Sequence, residues 1–255
     1  MTNDLKHTLV NLLMEAGAYQ VGVADPRVGF EHALEGCHPL ELWDQCESIV
    51  VFAVARSPKA NNTYAGPYAP WKGPRALGPL PKNIQSDDYA TRRLVHLFIA
   101  PIWLSGAAFL QENGYRFSFR QPRLKLAAFE AGIGVYGRSG VLIHPVLGNR
   151  MALGAIMTDA ILEPDGRLEH FEPCKNCDLC IKMCPAEAYD PAESYPDSWS
   201  RETCTSKRAE IEKSGLYCHN CFAVCPAGEL DDEQLLCVKE AKSFFASSTT
   251  ERDRL

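Results

Sequence analysis

No apolar stretch of this chain is long enough to span a bilayer. The longest, LFIAPIWLSGAAFL, has 14 residues and contains Pro101, whereas a spanning helix needs about 20. The N-terminal residues MTNDLKHTLVNLLMEAG carry neither a secretory signal nor a twin-arginine pair. The expectation is a cytoplasmic protein whose thiols stay reduced, with no membrane partner. Basic blocks are missing as well: 26 Lys and Arg stand against 32 Asp and Glu, for a net charge of -6. A nucleic-acid surface shows clustered Lys and Arg, so nucleic acid is not an expected partner. Internal repeats are absent apart from two short cysteine runs.

Cysteine is what the chain has in excess. Of 11 cysteines, eight fall in two groups that each end in Cys-Pro. The first is CKNCDLCIKMCP, with Cys174, Cys177, Cys180 and Cys184. The second is Cys204 followed by CHNCFAVCP, with Cys218, Cys221 and Cys225. A disulfide scaffold would suit a secreted chain. Zinc ribbons use Cys-x2-Cys pairs, but not three successive thiols and then Cys-Pro, twice. The pattern is the ligand set of two 4Fe–4S clusters, and it predicts an electron-transfer iron–sulfur oxidoreductase. In two-cluster ferredoxins the cysteine before proline ligates the other cluster. That rule assigns Cys174, Cys177, Cys180 and Cys225 to one cluster, and Cys184, Cys204, Cys218 and Cys221 to the other. Cys37, Cys46 and Cys237 remain; free cysteine is usually a small buried hydrophobe, and the alternative is a thiol beside a cofactor. His219, inside the second run, is either solvent-exposed or a donor that tunes a cluster.

The cluster motif occupies about 60 residues, too few for a chain of 255. At 46% hydrophobic and 23% charged residues, the remainder has an ordinary globular composition. Leu5, Leu9, Leu12 and Leu13 repeat at helical spacing behind a capping Asn3 or Asp4. YQVGVAD reads as a strand and SIVVFAVARS as a fully buried one. Residues 57–86 read as a long Pro/Gly/Asn-rich loop whose Tyr64, Tyr68 and Trp71 either pack it down or wall a pocket. A long helix over 88–112 is expected to stop at Asn113-Gly114. YRFSFR then reads as a strand and RLKLAAFEAG as a short helix stopped by Gly132. Further on, VYGRSGVLIHPVLGNRMALGAIMTDAIL alternates glycine turns with strand-like runs. Such glycine density suggests backbone brought close to a large ligand. His144 reads as a surface turn residue, His96 as a packing residue, and 231–245 as helix. The connections lack regular βαβ spacing, so residues 1–170 should hold a mainly antiparallel α+β sheet.

The segment KLAAFEAGIGVYGRSGVLIHPVLGNRMALGAIMTDAIL, followed by EPCKNCDLCIKMCP, resembles the epoxyqueuosine reductase and reductive dehalogenase group of cobalamin-dependent iron–sulfur proteins. YATRRLVH is similar to a second family segment, at Tyr89, Ala90, Arg93 and His96. The likeness covers roughly residues 85–226. It implies an α+β, nitroreductase-like cofactor domain over 1–170. It also implies a bacterial-ferredoxin-like dicluster domain over 171–230, with a C-terminal helix and tail over 231–255. It implies cobalamin contacts from Gly132, Gly134, Gly137, Leu142, Gly148, Leu153 and Ile156. Arg138 takes a position often held by lysine, and Ser206 matches a cofactor-approaching serine. The proton-donating aspartate of epoxyqueuosine reductases falls at Ser118, so Tyr89, beside Arg93, becomes the candidate catalytic acid.

The chain stops short of the helical extension of tRNA-acting relatives, which makes it look like a short paralogue. Electrons from an external donor such as ferredoxin or flavodoxin would pass through the clusters to cobalamin for reductive bond cleavage of a small-molecule substrate. The alternative is an electron-transfer or corrinoid-activating protein that serves a redox partner and turns over no substrate of its own.

Overall fold

The computed structural model describes residues 2–31, 33–55, 77–79, 99–190, 193, 199–213, 216–218 and 220–228. Tyr64, Tyr68, Trp71, Tyr89, Arg93, His96, His219, Cys237 and the helix expected over 231–245 lie outside them. The chain divides into two compact units. One comprises Met1–Arg56, Arg92–Val135 and Met151–Phe171; the other comprises Ser57–Thr91, Tyr136–Arg150 and Glu172–Leu255.

The first unit begins with α1 (Thr2–Glu15), whose Leu9 and Leu13 are buried, as their spacing predicts. β1 (Gln20–Ala24) follows, then the short α2 (Pro39–Leu42) and β2 (Ser48–Ala55). A helix over 99–112, here α3, precedes β4 (Phe117–Ser118) and α4 (Leu124–Glu130). β7 (Met151–Thr158) closes the sheet in the order β1-β2-β7-β4. All three pairings are antiparallel, as expected, and β2 and β7 match over their full length from Ser48↔Thr158 to Ala55↔Met151. β2 is buried at every position but its last, because Val, Ile and Phe face helices or neighbouring strands on both sides.

The helix layer seats on one face of this sheet. Leu9, Leu13, Ile102, Leu110, Phe52 and Ile156 form a continuous buried core. A Cβ at Gly106 of α3 would come within 2.5 Å of Ile156 Cδ1, so that glycine sets how closely α3 seats on β7. α3 ends as its sequence predicts. The Gly114 and Tyr115 N–H groups return to the Gln111 and Leu110 carbonyls at 3.0 and 2.9 Å, a Schellman closure.

In the second unit, the segment Tyr136–Arg150 starts at the last residue of β5 (Val135–Tyr136), which pairs with β6 (Leu142–Ile143). Within the stretch 57–86 expected to be a long loop, the described residues form a strand, β3 (Leu77–Pro79). It pairs with β8 (Leu216–Cys218), bringing Leu77 opposite Cys218. α5 (Leu179–Lys182), α6 (Arg201–Lys213) and α7 (Asn220–Ala223) carry or flank the cysteine runs. None of the described helices is long and apolar enough to cross a membrane.

Candidate iron–sulfur centre

The cysteine runs are held by short helical turns rather than by a large core. Leu179, Met183 and Val224 are buried together, with Cys177 and Cys180 packed against them. Asn220 sits between two cysteines of the second run and is 1% exposed. Its Nδ2 donates to the Met183 carbonyl at 2.7 Å, tying α7 to the first run. Ser200 caps α6: its hydroxyl accepts the Thr203 N–H at 3.2 Å, and its carbonyl accepts the Cys204 N–H at 3.1 Å. The cap fixes Cys204 in the first turn of α6.

All ten described cysteines are free thiols. Cys46 is fully buried, and burial pushes its thiol up to about 11; it is the small hydrophobe the sequence reading expects. Cys37 is half-buried. The other eight gather into neighbourhoods. Burial first, and then Cys174, Cys221, Cys225 and Cys177, push the Cys180 thiol up to about 12. Cys225 is raised by burial and by the charges of Cys174 and Cys177. Cys218 is raised by burial and then, among its thiol neighbours, by Cys184 and Cys204. Burial pushes Cys221 up to about 11, and Cys218, Cys204 and Cys184 add to that. Cys225 thus neighbours the first run, and Cys184 neighbours Cys218 and Cys221 of the second. Cys180 and Cys221 are neighbours between the groups.

This donor set fits two cubane clusters. Among the described residues no three Cys, His, Asp or Glu side chains converge on a single-ion site. A cubane does not ask for that, since each of its four thiolates binds a different iron. Four crowded thiols suffer mutual repulsion when ionised, and bound iron cations would remove that penalty. Backbone donors already face the sulfurs: the Arg138 N–H at Cys174, the Asn220 N–H at Cys218 and the Ala227 N–H at Cys225. A small cavity is lined by Cys174, Cys177, Cys180, Cys221 and Cys225 together with Ser139, Ile143 and Pro226. The buried indole Nε1 of Trp199 has no hydrogen-bond partner.

The glycine-dense segment has a use that its sequence conceals. A Cβ on Gly137 would meet Ile143 Cδ1 at 2.6 Å and the Cys174 sulfur at 3.3 Å. One on Gly148, at φ +59°, would overlap the Ala227 carbonyl oxygen. Two further ties join the same segments. Asn149 Nδ2 donates to the Phe222 carbonyl at 2.9 Å, and the buried Arg150 guanidinium donates to the Ala227 carbonyl. Residues 137–150 therefore back onto both cysteine runs. In the first unit Gly132, at φ +68°, ends α4. Its own N–H and that of Ile133 reach back to the Phe129 and Ala128 carbonyls. At Gly132, Gly137 and Gly148 the missing side chain is accounted for by protein, so these glycines do not by themselves constitute a corrin cradle.

The other expected site residues are dispersed. Arg138, Leu142 and Ser206 share the unit of the cysteines, Leu142 buried and Ser206 exposed on α6. Gly132, Gly134, Leu153 and Ile156 belong to the first unit. Leu153 and Ile156 are three apart on β7 and so point to opposite faces of the sheet. Ile156 is fully buried in the helix-side core. Ser118 lies on β4, where its hydroxyl accepts the Arg120 N–H at 3.2 Å. His144 is not the surface residue expected: it is 3% exposed. Its Nδ1 accepts the Val146 and Leu147 N–H groups, each at 3.0 Å, closing the turn before Gly148.

Sequence reasoning missed Asn149, Arg150, Asn220 and Tyr189. The Tyr189 hydroxyl donates to the Ser139 carbonyl at 3.5 Å. Burial chiefly, then the thiol charges around it, push its phenol up. Only the position of Asn220 within the cysteine run offered a signal.

No family model matches the chain. It is 33% identical over 114 residues to a tetrachloroethene reductive dehalogenase of Desulfitobacterium hafniense, covering 38% of this chain and 21% of that protein. It is 36% identical over 64 residues to an epoxyqueuosine reductase of Staphylococcus aureus, covering 25% of this chain and 16% of that protein. The chain thus spans about a fifth of the length of these curated relatives. Its fold is similar to a catabolic reductive dehalogenase solved with 3-bromo-4-hydroxybenzoic acid, at a TM-score of 0.64 and 19% identity, covering 96% of this chain and 36% of that one. It is also similar to a solved epoxyqueuosine reductase, at a TM-score of 0.57 and 19% identity, covering 88% and 65%. The resemblance read from the sequence is therefore found in both comparisons, at partial coverage.

Proposed function

We propose that this chain is an iron–sulfur oxidoreductase. Two 4Fe–4S clusters bound by the eight cysteines of its two Cys-Pro groups would supply one-electron transfer to a cobalamin-type cofactor used for reductive bond cleavage. The observation that supports this most is that the two runs converge: Cys174, Cys177 and Cys180 of the first and Cys221 and Cys225 of the second line one small cavity. Cys174, Cys177, Cys180 and Cys225 would hold one cluster; Cys184, Cys204, Cys218 and Cys221 would hold the other. Asn220 ties the second run to the first, Asn149 and Arg150 tie the 148–150 segment to the second run, and the backbone N–H groups of Arg138, Asn220 and Ala227 would offset thiolate charge.

The cobalamin reading rests on the relatives, one of which is a dehalogenase solved with B12-dependent chemistry in view, and on Arg138, Leu142 and Ser206 as its proposed contacts. The domain reading keeps a nitroreductase-like part ahead of a ferredoxin-like dicluster part. An external reduced ferredoxin or flavodoxin would be the electron source, and Tyr89 with Arg93 the proton donor. One observation favours the second reading, an electron-transfer or corrinoid-activating protein. Ser118 stands where epoxyqueuosine reductases place an acid, and a serine hydroxyl is a poor proton donor near neutral pH. Anaerobic titration with cobalamin tests the acceptor. A shift to the base-off spectrum, retained on desalting, supports cobalamin; its absence, in protein that keeps its brown cluster absorption, favours the partner-serving reading.

A further inference from the structure

We propose that the cavity beside β4 is a binding site for a zwitterionic α-amino acid with an apolar side chain. The cavity lies wholly in the first unit, so the inference depends on neither the cluster reading nor the cobalamin reading. Residues 40–45, from α2 and the turn after it, form one wall. Arg116, Phe117, Ser118 and Arg120, on and around β4, form the other. The volume of about 630 Å³ falls within the range of roughly 300–1,000 Å³ usual for small-molecule sites.

Two guanidinium groups hold the walls together. Arg116 Nη1 donates to Gln45 Oε1, and Arg120 Nη1 donates to the Leu42 carbonyl at 2.8 Å. Four charged side chains line the space: Glu41, Asp44, Arg116 and Arg120. Two of them are committed to protein partners. Arg116 Nε donates to Asp159 Oδ2 at 2.7 Å, and Glu41 Oε2 accepts the Gly36 N–H at 2.8 Å. The other two are of opposite sign. Among the described residues Arg120 has no carboxylate partner, and Asp44 has no basic one. The Nε–Nη2 edge of Arg120, whose parallel N–H groups take a carboxylate side-on, is left open by its tie to Leu42 through Nη1.

That sign pattern decides the class of ligand. A simple anion would meet the carboxylates of Glu41 and Asp44, and a simple cation would meet Arg120. A molecule carrying both charges satisfies both open groups. Trp43 is extended, at φ -159° and ψ 108°, so Leu42, which anchors Arg120, and Asp44 are about 7 Å apart along the chain. An α-amino acid with a hydrogen bond of ~2.8 Å at each end spans a similar distance. Leu40, Leu42, Trp43 and Phe117 supply an apolar lining for its side chain.

The test is isothermal titration calorimetry of the full chain, purified anaerobically, with L-phenylalanine and L-leucine at up to millimolar concentrations. Two half-ligands complete the set: 3-phenylpropionate keeps only the carboxylate, and phenethylamine only the amine. Each lost charge-assisted hydrogen bond costs about tenfold in Kd, so both half-ligands should bind about tenfold more weakly than L-phenylalanine. Arg120→Gln should bring L-phenylalanine down to the affinity of phenethylamine, and Asp44→Asn to that of 3-phenylpropionate. Arg120→Gln also loses its tie to Leu42; if thermal melts show it unfolded, Asp44→Asn decides, since no described hydrogen bond is lost with that carboxylate. Saturable binding of neither amino acid overturns the proposal. Equal or tighter binding of a half-ligand overturns it too, as does binding of L-phenylalanine that Asp44→Asn leaves unchanged.

Discussion

Gly148→Ala should damage the cluster-binding unit out of proportion to the one methyl group it adds. Two effects combine at this position. Gly148 has φ +59°, and an L-residue in the left-handed region costs roughly 1–2 kcal/mol. The new Cβ would also overlap the carbonyl oxygen of Ala227, two residues beyond the ligand Cys225. Backbone cannot rotate away as a side chain can, and overpacking of this kind costs typically about 1–3 kcal/mol. Gly36 supplies the control: it has φ +74° and nothing within 4 Å of its added Cβ. Gly36→Ala therefore measures the backbone cost alone. Gly148→Ala should be the less stable of the two by about 2 kcal/mol, or roughly 4–8 °C in Tm for a chain of this size. It should also bind less iron, because Cys225 moves with Ala227. Anaerobic thermal melts followed by circular dichroism, with iron assayed on the same samples, report both. Equal Tm and equal iron in the two variants would refute the close approach.

Two further predictions concern buried polar groups. Glu130 is 5% exposed and accepts a bidentate pair of bonds from Arg167, each 2.8 Å; Arg167→Ala should cost about 2–3 kcal/mol in a thermal or denaturant melt. Arg167→Lys should recover only part of that, because lysine lacks the fork. Burial holds the His144 imidazole below its ordinary pKa, while its Nδ1 accepts two backbone N–H groups. The unfolded state then binds the proton more tightly. The stability from His144 is fully present above the unfolded value of about 6.5 and is lost as pH falls through the lower folded value. His144→Asn keeps an acceptor without titrating, so its stability should fall less than that of the wild type between about pH 7 and pH 5; parallel pH profiles would contradict this.

What could be read from the sequence was local. The antiparallel sheet, the buried β2 and the cap at Gly114 each follow from a few consecutive residues. The cysteine spacing, equally local, is what carries the proposed ligand set. The sheet order β1-β2-β7-β4 was not legible, since β2 and β7 meet across about a hundred residues and no composition signal marks their register. The density of glycines does report close approach of backbone: at Gly137 and Gly148 the approaching partners are Cys174, Ile143 and Ala227. His144 next to Pro145 looked like an exposed turn, because nothing local shows that its ring folds back to cap that turn. Tyr189, Asn149 and Arg150 were silent because their partners are 50, 73 and 77 residues away.

The central claim is that these eight cysteines hold two 4Fe–4S clusters. Its most direct test is the metal content of anaerobically purified protein, with iron, zinc and acid-labile sulfide measured on one sample and Mössbauer spectra taken on 57Fe-enriched material. Iron and sulfide in equal amounts sufficient for two cubanes, with spectra of 4Fe–4S centres and no stoichiometric zinc, are the predicted result. Stoichiometric zinc in place of iron, or sulfide for a single cluster only, would contradict the account.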